Sequence, residues 1–396
     1  MNAKRKQKLG FNTLSIHQDD RQPLKALNPP IFMTSTFSFD SIEDADEVFS
    51  FEKDDFVYTR GNNPTLRLLE EKMAALENGA AGVAFGSGMG AISSTLLSLL
   101  APGDEVLTHR TVYGSSYNVL KNILPRYQIE ARFVNFTDLA RVEGLISSKT
   151  KVFYFETPAN PNLEIIDLAG VKEVARRYGI RIIVDNTFAS PFFQNPLDYG
   201  ADVVVHSATK YIAGFGAGLG GIAVSRDLDY IQELKFGYMC ELGSVMSPFN
   251  GWLFLQGLKT LGLRMKQHEA NAFEVAGYLV RHPKVEQVFY PGLPGFSGHE
   301  IAKKQMRGFG GMLSFELKGD LATSKKLINN FRLIKLAVSL GDAETLAEHP
   351  AAMTHRGYPR EELNSFGLTE TMIRLSVGLE DVADIIFDLE QALDKI

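Results

Sequence analysis

Asp202-Val-Val-Val-His206-Ser207-Ala-Thr209-Lys210-Tyr211-Ile-Ala-Gly214 is the stretch that decides how this chain folds. A short apolar run ending in a Ser-x-Thr-Lys turn reads as a strand buried on both faces, as strands inside a parallel sheet are. The same pattern recurs upstream, so that Gly82–Phe85, Glu105–His109, Glu130–Val134, Val152–Phe155, Ile180–Val184 and Ala201–Val205 are all candidate strands. Helical periodicity runs through Thr65–Glu77, Ser87–Leu100 and Leu168–Tyr178, with Ser87 placed to cap the second of these, and Pro102-Gly103-Asp104 makes a turn. Strands alternating with helices predict an α/β protein with a mostly parallel sheet.

The pattern changes near Pro248. A long helical stretch runs to Gly262 and resumes over Arg264–Val280, after which Gly310–Leu317 and Met372–Val377 read as strands flanked by helices. This predicts a smaller α+β domain. The first 60 residues hold Pro23, Pro29 and Pro30 with little periodicity and read as an arm that packs on something else. The expected division is an arm over 1–62, a ligand-binding domain over 63–256 and a C-terminal domain over 257–396.

Composition narrows the function classes. The chain has 396 residues, 47 acidic against 41 Lys plus Arg for a net charge of −6, 45% hydrophobic and 22% charged residues, which is globular and large enough for two or three cores. No basic half offers a nucleic-acid footprint. Lys4-Arg5-Lys6-Gln7-Lys8 is followed by Leu9-Gly10-Phe11-Asn12-Thr13 rather than an apolar stretch, so it reads as a solvated arm and not as a secretion signal. Ala91–Ala101 is about half a bilayer span, which argues against a membrane protein. The single cysteine, Cys240, allows no intramolecular disulfide and no cysteine-built metal site, and it points to a reducing compartment such as the cytoplasm. The eight histidines show no metal spacing, His349 and His355 included, so no metal is expected.

Lys210 stands beyond a strand's carboxyl end, where open α/β sheets bind ligands. Burial there lowers a lysine's pKa and frees the neutral amine that an imine with an aldehyde cofactor requires, while Ser207 and Thr209 can meet a phosphate. Asp185, closing Ile182-Ile-Val-Asp185-Asn186-Thr187, either caps the next turn or holds a ring nitrogen protonated, as a pyridoxal ring needs. Phe85-Gly86-Ser87-Gly88-Met89-Gly90-Ala91 sets glycines between strand and helix, an anion site that also fits a dinucleotide fingerprint. Such a fingerprint wants an acid about 20 residues on. His109-Arg110 stands there instead, which leaves only a phosphorylated dinucleotide as a rival ligand. Tyr113 can stack on a planar cofactor and act as an acid, or be a buried tyrosine with a satisfied hydroxyl. Tyr58-Thr59-Arg60 suits a phosphate or an exposed turn, and Arg374, in the apolar strand Met372–Val377, needs an anion from either protein or substrate. Gly214–Gly221 reads as tight turning beside Lys210.

Taken together these blocks closely resemble the pyridoxal-phosphate enzymes of cysteine and methionine metabolism: the cystathionine lyases, homoserine-derivative sulfhydrylases and methionine gamma-lyases. The resemblance runs from about Leu14 to the C-terminus through Tyr58-x-Arg60, Gly86-Ser-Gly-Met89, Tyr113-Gly114, Glu156-Thr-Pro-Ala-Asn160-Pro161, Asp185-Asn186, Ser207-x-Thr209-Lys210 and Arg374-Leu-Ser-Val-Gly378. It implies the aspartate aminotransferase-like fold (fold type I) and pyridoxal 5'-phosphate as cofactor. By the same resemblance Lys210 is the Schiff-base lysine, Asp185 pairs with the pyridine nitrogen, and Gly88, Met89, Ser207 and Thr209 match phosphate-binding positions. Tyr113 matches the stacking tyrosine and acid. Tyr58 and Arg60 match residues that reach the phosphate of a neighbouring subunit, which implies a homotetramer of dimers with shared sites. Asn160, Ser339 and Arg374 match positions that orient the substrate carboxylate or the ring oxygen.

Ala337-Val338-Ser339-Leu-Gly-Asp342-Ala-Glu344 resembles the methionine gamma-lyases most, since cystathionine gamma-lyases usually place a glutamate at position 338. Valine suits a thioether methyl better than the charged second head of cystathionine. The implied reaction is α,γ-elimination of methionine or homocysteine, a carbon-sulfur lyase activity on a small sulfur amino acid. Two positions depart from the family pattern: Ser115 follows Tyr-Gly at a substrate-side position where many methionine gamma-lyases have cysteine, and Phe215 replaces the usual histidine after Gly214. The alternatives are a cystathionine gamma-lyase with homocysteine desulfhydrase activity, an O-acetylhomoserine sulfhydrylase, an NADP oxidoreductase and a binding module without turnover.

Overall fold

The computed structural model describes residues 9–17 and 25–396. The basic run Lys4–Lys8 and Pro23 lie outside them. Seven strands build the large sheet: β1 (Ala81–Phe85), β2 (Glu105–His109), β3 (Glu130–Val134), β4 (Thr150–Glu156), β5 (Arg181–Asp185), β6 (Val203–Ser207) and β7 (Gly221–Ser225), in the order β1-β7-β6-β5-β4-β2-β3. Every neighbouring pair is parallel except the two that involve β7, which runs antiparallel to β1 and β6. The strand β7 was not expected; the connection from β6 contains no crossover helix, so the chain returns antiparallel. The helices Pro64–Leu76, Gly88–Leu99 and Leu168–Tyr178 form where the periodicity places them, and the Ser87 hydroxyl caps the second by accepting from Gly90 N at 3.0 Å.

Helix Pro248–Arg281 is one element of 34 residues, with Pro248 at its start and Ser247 capping Phe249 N. Gly262 does not break it. Glycine at 257 is needed for packing, because a Cβ there would lie 2.3 Å from the Ile212 carbonyl in the segment after Lys210. The buried face of this helix, including Phe254, Leu258, Met265 and Val275, joins a core that also holds Phe315, Ile373 and Leu375. Those three residues belong to a second sheet of β8 (Val285–Phe289), β9 (Met312–Leu317), β10 (Lys335–Leu336), β11 (Leu346–Glu348) and β12 (Met372–Ser376), ordered β10-β11-β12-β9-β8 and antiparallel apart from β10–β11. Hydrogen bonds tie the arm to the body, among them Trp252 Nε1 donating to the Pro29 carbonyl at 3.1 Å and Thr65 Oγ1 to that of Pro30 at 3.0 Å. Among the described residues no helix is long and apolar enough to cross a membrane.

Two histidines, His268 and His355, are fully buried, and each leaves its Nε2 without a partner. Burial, aided by the nearby cations Arg264 and Arg374 respectively, lowers their pKa to about 4 and about 3. In the unfolded chain each takes up a proton near its ordinary value of 6.5, while the folded chain does not. Stability contributed by the neutral rings is therefore complete above pH 6.5 and lost as the pH falls toward 4 and 3. Each contributes a slope of up to about 1.4 kcal/mol per pH unit in that window. Urea unfolding followed between pH 4 and 7 should show a shallower pH slope in His268→Gln or His355→Gln than in the parent chain, and unchanged slopes would contradict this account.

Candidate active site

The carboxyl ends of β1, β2, β4, β5 and β6 converge, and β12 approaches from the smaller sheet. Between them lies a cavity of about 210 Å³ whose wall includes Gly88, Met89, Tyr113, Asn160, Asp185, Ser207, Thr209, Lys210, Val338, Ser339 and Arg374. Eleven of the fourteen residues singled out from sequence thus meet in one place. Lys210 follows β6, and its Nζ donates to Ser339 Oγ at 3.2 Å. Burial, and secondarily the Arg374 cation, lowers its pKa, as a free amine at work near neutrality requires. Asp185, at the end of β5, accepts from Thr187 N at 2.9 Å, so it caps its turn and faces the cavity at once.

Glu156 ends β4 in register with Asp185 and accepts from Tyr113 N at 2.6 Å. Both carboxyls are buried, and burial drives their pKa upward; Glu156, beside the Asp185 charge, stands well above the usual carboxylate range. Tyr113 sits before the short helix Gly114–Asn118, where a Cβ on Gly114 would lie 1.9 Å from the Thr354 carbonyl. That contact explains the Tyr-Gly pair: only glycine lets the chain pass beneath Thr354, leaving Tyr113 36% exposed at the cavity. Arg374 is fixed on several sides. Its Nη1 donates to Asn160 Oδ1 and its Nη2 to the Ser339 carbonyl, both at 2.9 Å, and the buried carboxylate of Glu348 lies 2.9 Å from Nη2. The protein anion foreseen for Arg374 is therefore Glu348, yet Arg374 Nε has no partner although it is buried.

Three of the fourteen residues lie elsewhere. Tyr58 and Arg60 line a separate recess of this chain with Phe236 and Cys240, the guanidinium 5.6 Å from the Tyr58 ring. Ser115 is half-buried and outside the cavity wall. One residue further along the helix, Ser116 faces inward instead, where its hydroxyl accepts from Tyr154 OH at 3.3 Å. Arg110 pairs with Glu164, which also meets His109 Nε2 at 3.0 Å, so it is not held ready for a dinucleotide phosphate. Sequence reasoning gave no role to Glu156, Thr187, Leu219, Glu348 or Thr354, all of which line the cavity. Glu156 carried a usable signal, since it ends its apolar strand as Asp185 ends the next; Leu219, inside a glycine run, carried none.

Such a site fits a phosphorylated aldehyde cofactor. Ser87 caps Gly90 N, while the amides of Gly88 and Met89 open the helix without intrahelical partners, an arrangement suited to a phosphate. Gly88 leaves no room for a side chain: a Cβ there would come within 2.8 Å of Ser207 Cβ, so the helix start and the Ser207 turn are pressed together as one cradle. A buried carboxyl, a desolvated lysine and an unpartnered guanidinium nitrogen complete it. Fold and site together define a pyridoxal-phosphate enzyme of the aspartate aminotransferase-like architecture. A family model described as Cys/Met metabolism PLP-dependent enzyme matches residues 12–394, and the chain belongs to that family. It is 48% identical to an L-methionine gamma-lyase of Fusobacterium nucleatum subsp. nucleatum over 98% of this chain and 99% of that one. It is 40% identical to a cystathionine gamma-lyase of Dictyostelium discoideum over 98% of each. A Campylobacter jejuni crystal structure that carries N'-pyridoxyl-lysine-5'-monophosphate superposes with a TM-score of 0.94 at 33% identity, over 98% of this chain and 100% of that one.

Proposed function

We propose that this chain is a carbon-sulfur lyase that converts L-methionine and water to 2-oxobutanoate, ammonia and methanethiol by α,γ-elimination, and homocysteine to the same ketoacid with hydrogen sulfide. One observation carries the reading: a buried Arg374 with an unpartnered Nε, suited to a substrate carboxylate, shares its cavity with a desolvated lysine and with an aliphatic Val338 where a second charged head would go unpaired. Pyridoxal 5'-phosphate, when bound, supplies an electron-accepting ring that stabilises negative charge beside the substrate's α-carbon. Gly88, Met89, Ser207 and Thr209 would hold its phosphate, Asp185 its ring nitrogen and Lys210 its aldehyde carbon. Arg374, steadied by Asn160 and Glu348, orients the substrate carboxylate with Ser339. Once released from the aldehyde carbon, the Lys210 amine would take the α-proton, hand it on to water and then take a β-proton, and the γ-carbon–sulfur bond would break as Tyr113 gives its phenolic proton to the departing sulfur.

This reading extends to the assembly. Tyr58 and Arg60 complete the phosphate site of a neighbouring copy, in a cytoplasmic homotetramer built from dimers with shared sites. The chain is then divided as arm 1–62, cofactor domain 63–256 and C-terminal domain 257–396. The relationship to a cystathionine gamma-lyase favours one second reading, cleavage of cystathionine with homocysteine desulfhydrase activity. Ketoacid and thiol released from methionine, homocysteine, cystathionine and cysteine, measured in parallel on the purified enzyme, separate the two. Methionine should give kcat/KM at least about tenfold above that of cystathionine, because Val338 covers a thioether methyl but offers the second charged head no partner. A preference for cystathionine would reverse the assignment.

A further inference from the structure

The glycine run Gly214–Gly221 crosses beside Lys210, and packing imposes three of its glycines. At Gly214, with φ +82°, a Cβ would sit 2.3 Å from the Arg264 guanidinium; at Gly220 it would sit 2.2 Å from the Phe254 ring, and at Gly221 2.1 Å from the Ser87 carbonyl. Hydrogen bonds fix the loop as well. Asn250 Nδ2 donates to the Leu219 carbonyl and Gly220 N to Thr209 Oγ1, both at 3.0 Å. Only two large side chains remain in this run. Phe215 lies 5.8 Å from the Arg264 guanidinium, away from the cavity wall, so the residue that replaces the family's usual histidine takes no part in it. Leu219 lines the cavity, and it is 63% exposed.

Val338, on the wall of the same cavity, is 53% exposed. Two aliphatic side chains on one cavity, both exposed in the single chain, make a surface that gains free energy when an apolar group covers it. We infer that Leu219 is a specificity-determining residue, which together with Val338 receives the substituent on the substrate's sulfur and selects neutral S-alkyl groups over a free thiol or a charged substituent. The inference rests on the elimination reading above and names what that site prefers. A methyl group covered on two sides gains more than one covered by Val338 alone, and S-ethyl homocysteine should gain further.

The test compares the holoenzyme with Leu219→Asn, close to leucine in size, and with Leu219→Ala, both at an exposed position where the fold has little to lose. For each protein kcat/KM is measured for methionine, S-ethyl homocysteine, homocysteine and cystathionine, and the visible colour of the bound cofactor reports that the site is intact. Leu219→Asn should lower kcat/KM for methionine about tenfold or more, and for the S-ethyl compound further, with homocysteine changed less than about threefold. If the parent enzyme prefers methionine and both variants keep its methionine-to-homocysteine ratio, Leu219 has no such role while the methionine reading stands. If the parent enzyme itself prefers cystathionine, that reading and the inference fail together.

Discussion

Lys210→Ala protein is expected to fold, to lack the yellow colour of the lysine-bound cofactor as purified, and to release no measurable ketoacid from methionine. A proton-transferring side chain alone contributes roughly 10²–10⁴-fold, and Lys210 is proposed both to hold the cofactor and to move the α-proton, so a loss of at least about 10⁴-fold in kcat follows. The structure explains why this position tolerates the change as a fold. Among the described residues the Lys210 amine makes one hydrogen bond, to Ser339 Oγ, and no carboxylate lies within ion-pair distance of it, so its removal breaks no close ion pair, while Asp342 and Glu348 lose only the longer-range attraction of its charge. Lys210→Arg is the sharper control. Arginine keeps the cation and much of the bulk, but it does not lose its proton at any working pH. A purely electrostatic role for Lys210 would leave substantial activity in that variant, whereas the proposed role leaves none. Retention of more than about a hundredth of parent activity in either variant would remove Lys210 from the chemistry.

The strands that carry the site were legible because they are buried on both faces and therefore apolar without interruption. Val203–Val205 and Ile182–Val184 have no other good reading, and a polar residue at the end of each marks where the sheet opens to a ligand. By contrast β7 was illegible for a physical reason. It begins at Gly221, whose smallness serves a contact with Ser87 rather than strand propensity, so the local signal was that of a turn. The pairing of Glu348 with Arg374 was equally hidden. It arises from the register of β11 on β12, residues 26 positions apart whose meeting depends on tertiary structure. Thus Arg374 could be read as needing an anion, but the anion could not be named.

Residues recognised through short motifs came together when their backbones flank the strand ends, as Gly88, Tyr113, Asn160 and Lys210 do. Tyr58 and Arg60 lie in the arm, which this chain places beside Cys240 and Phe236 rather than at its own cavity. Ser115 shows the limit of reading by adjacency. One residue along a helix turns the side chain by about 100°, and here that rotation aims Ser116, not Ser115, at Met89 and Tyr154.

Asp185→Asn should have opposite effects on the protein with and without its cofactor. In the cofactor-stripped chain the Asp185 carboxyl is buried, meets no cation at bonding distance among the described residues and stands next to the Glu156 carboxyl in register, and burial raises its pKa. A carboxyl whose pKa is higher folded than unfolded binds more protons in the folded chain; between those two values stability falls as the pH rises, and above them the full cost remains. Asparagine removes that cost. It also retains an oxygen able to accept from Thr187 N, the bond that Asp185 makes at 2.9 Å. At pH 8 the stripped Asp185→Asn protein should therefore unfold at a urea concentration equal to or above that of the stripped parent. The loaded enzyme should respond the other way. A neutral amide cannot hold a proton on the cofactor's ring nitrogen, and removing one partner of a buried charge pair costs about 3–5 kcal/mol, so kcat/KM should drop by roughly 10²–10³ or more. Loss of stability in the stripped protein together with unchanged kinetics in the loaded one would show Asp185 to be a turn cap and nothing more.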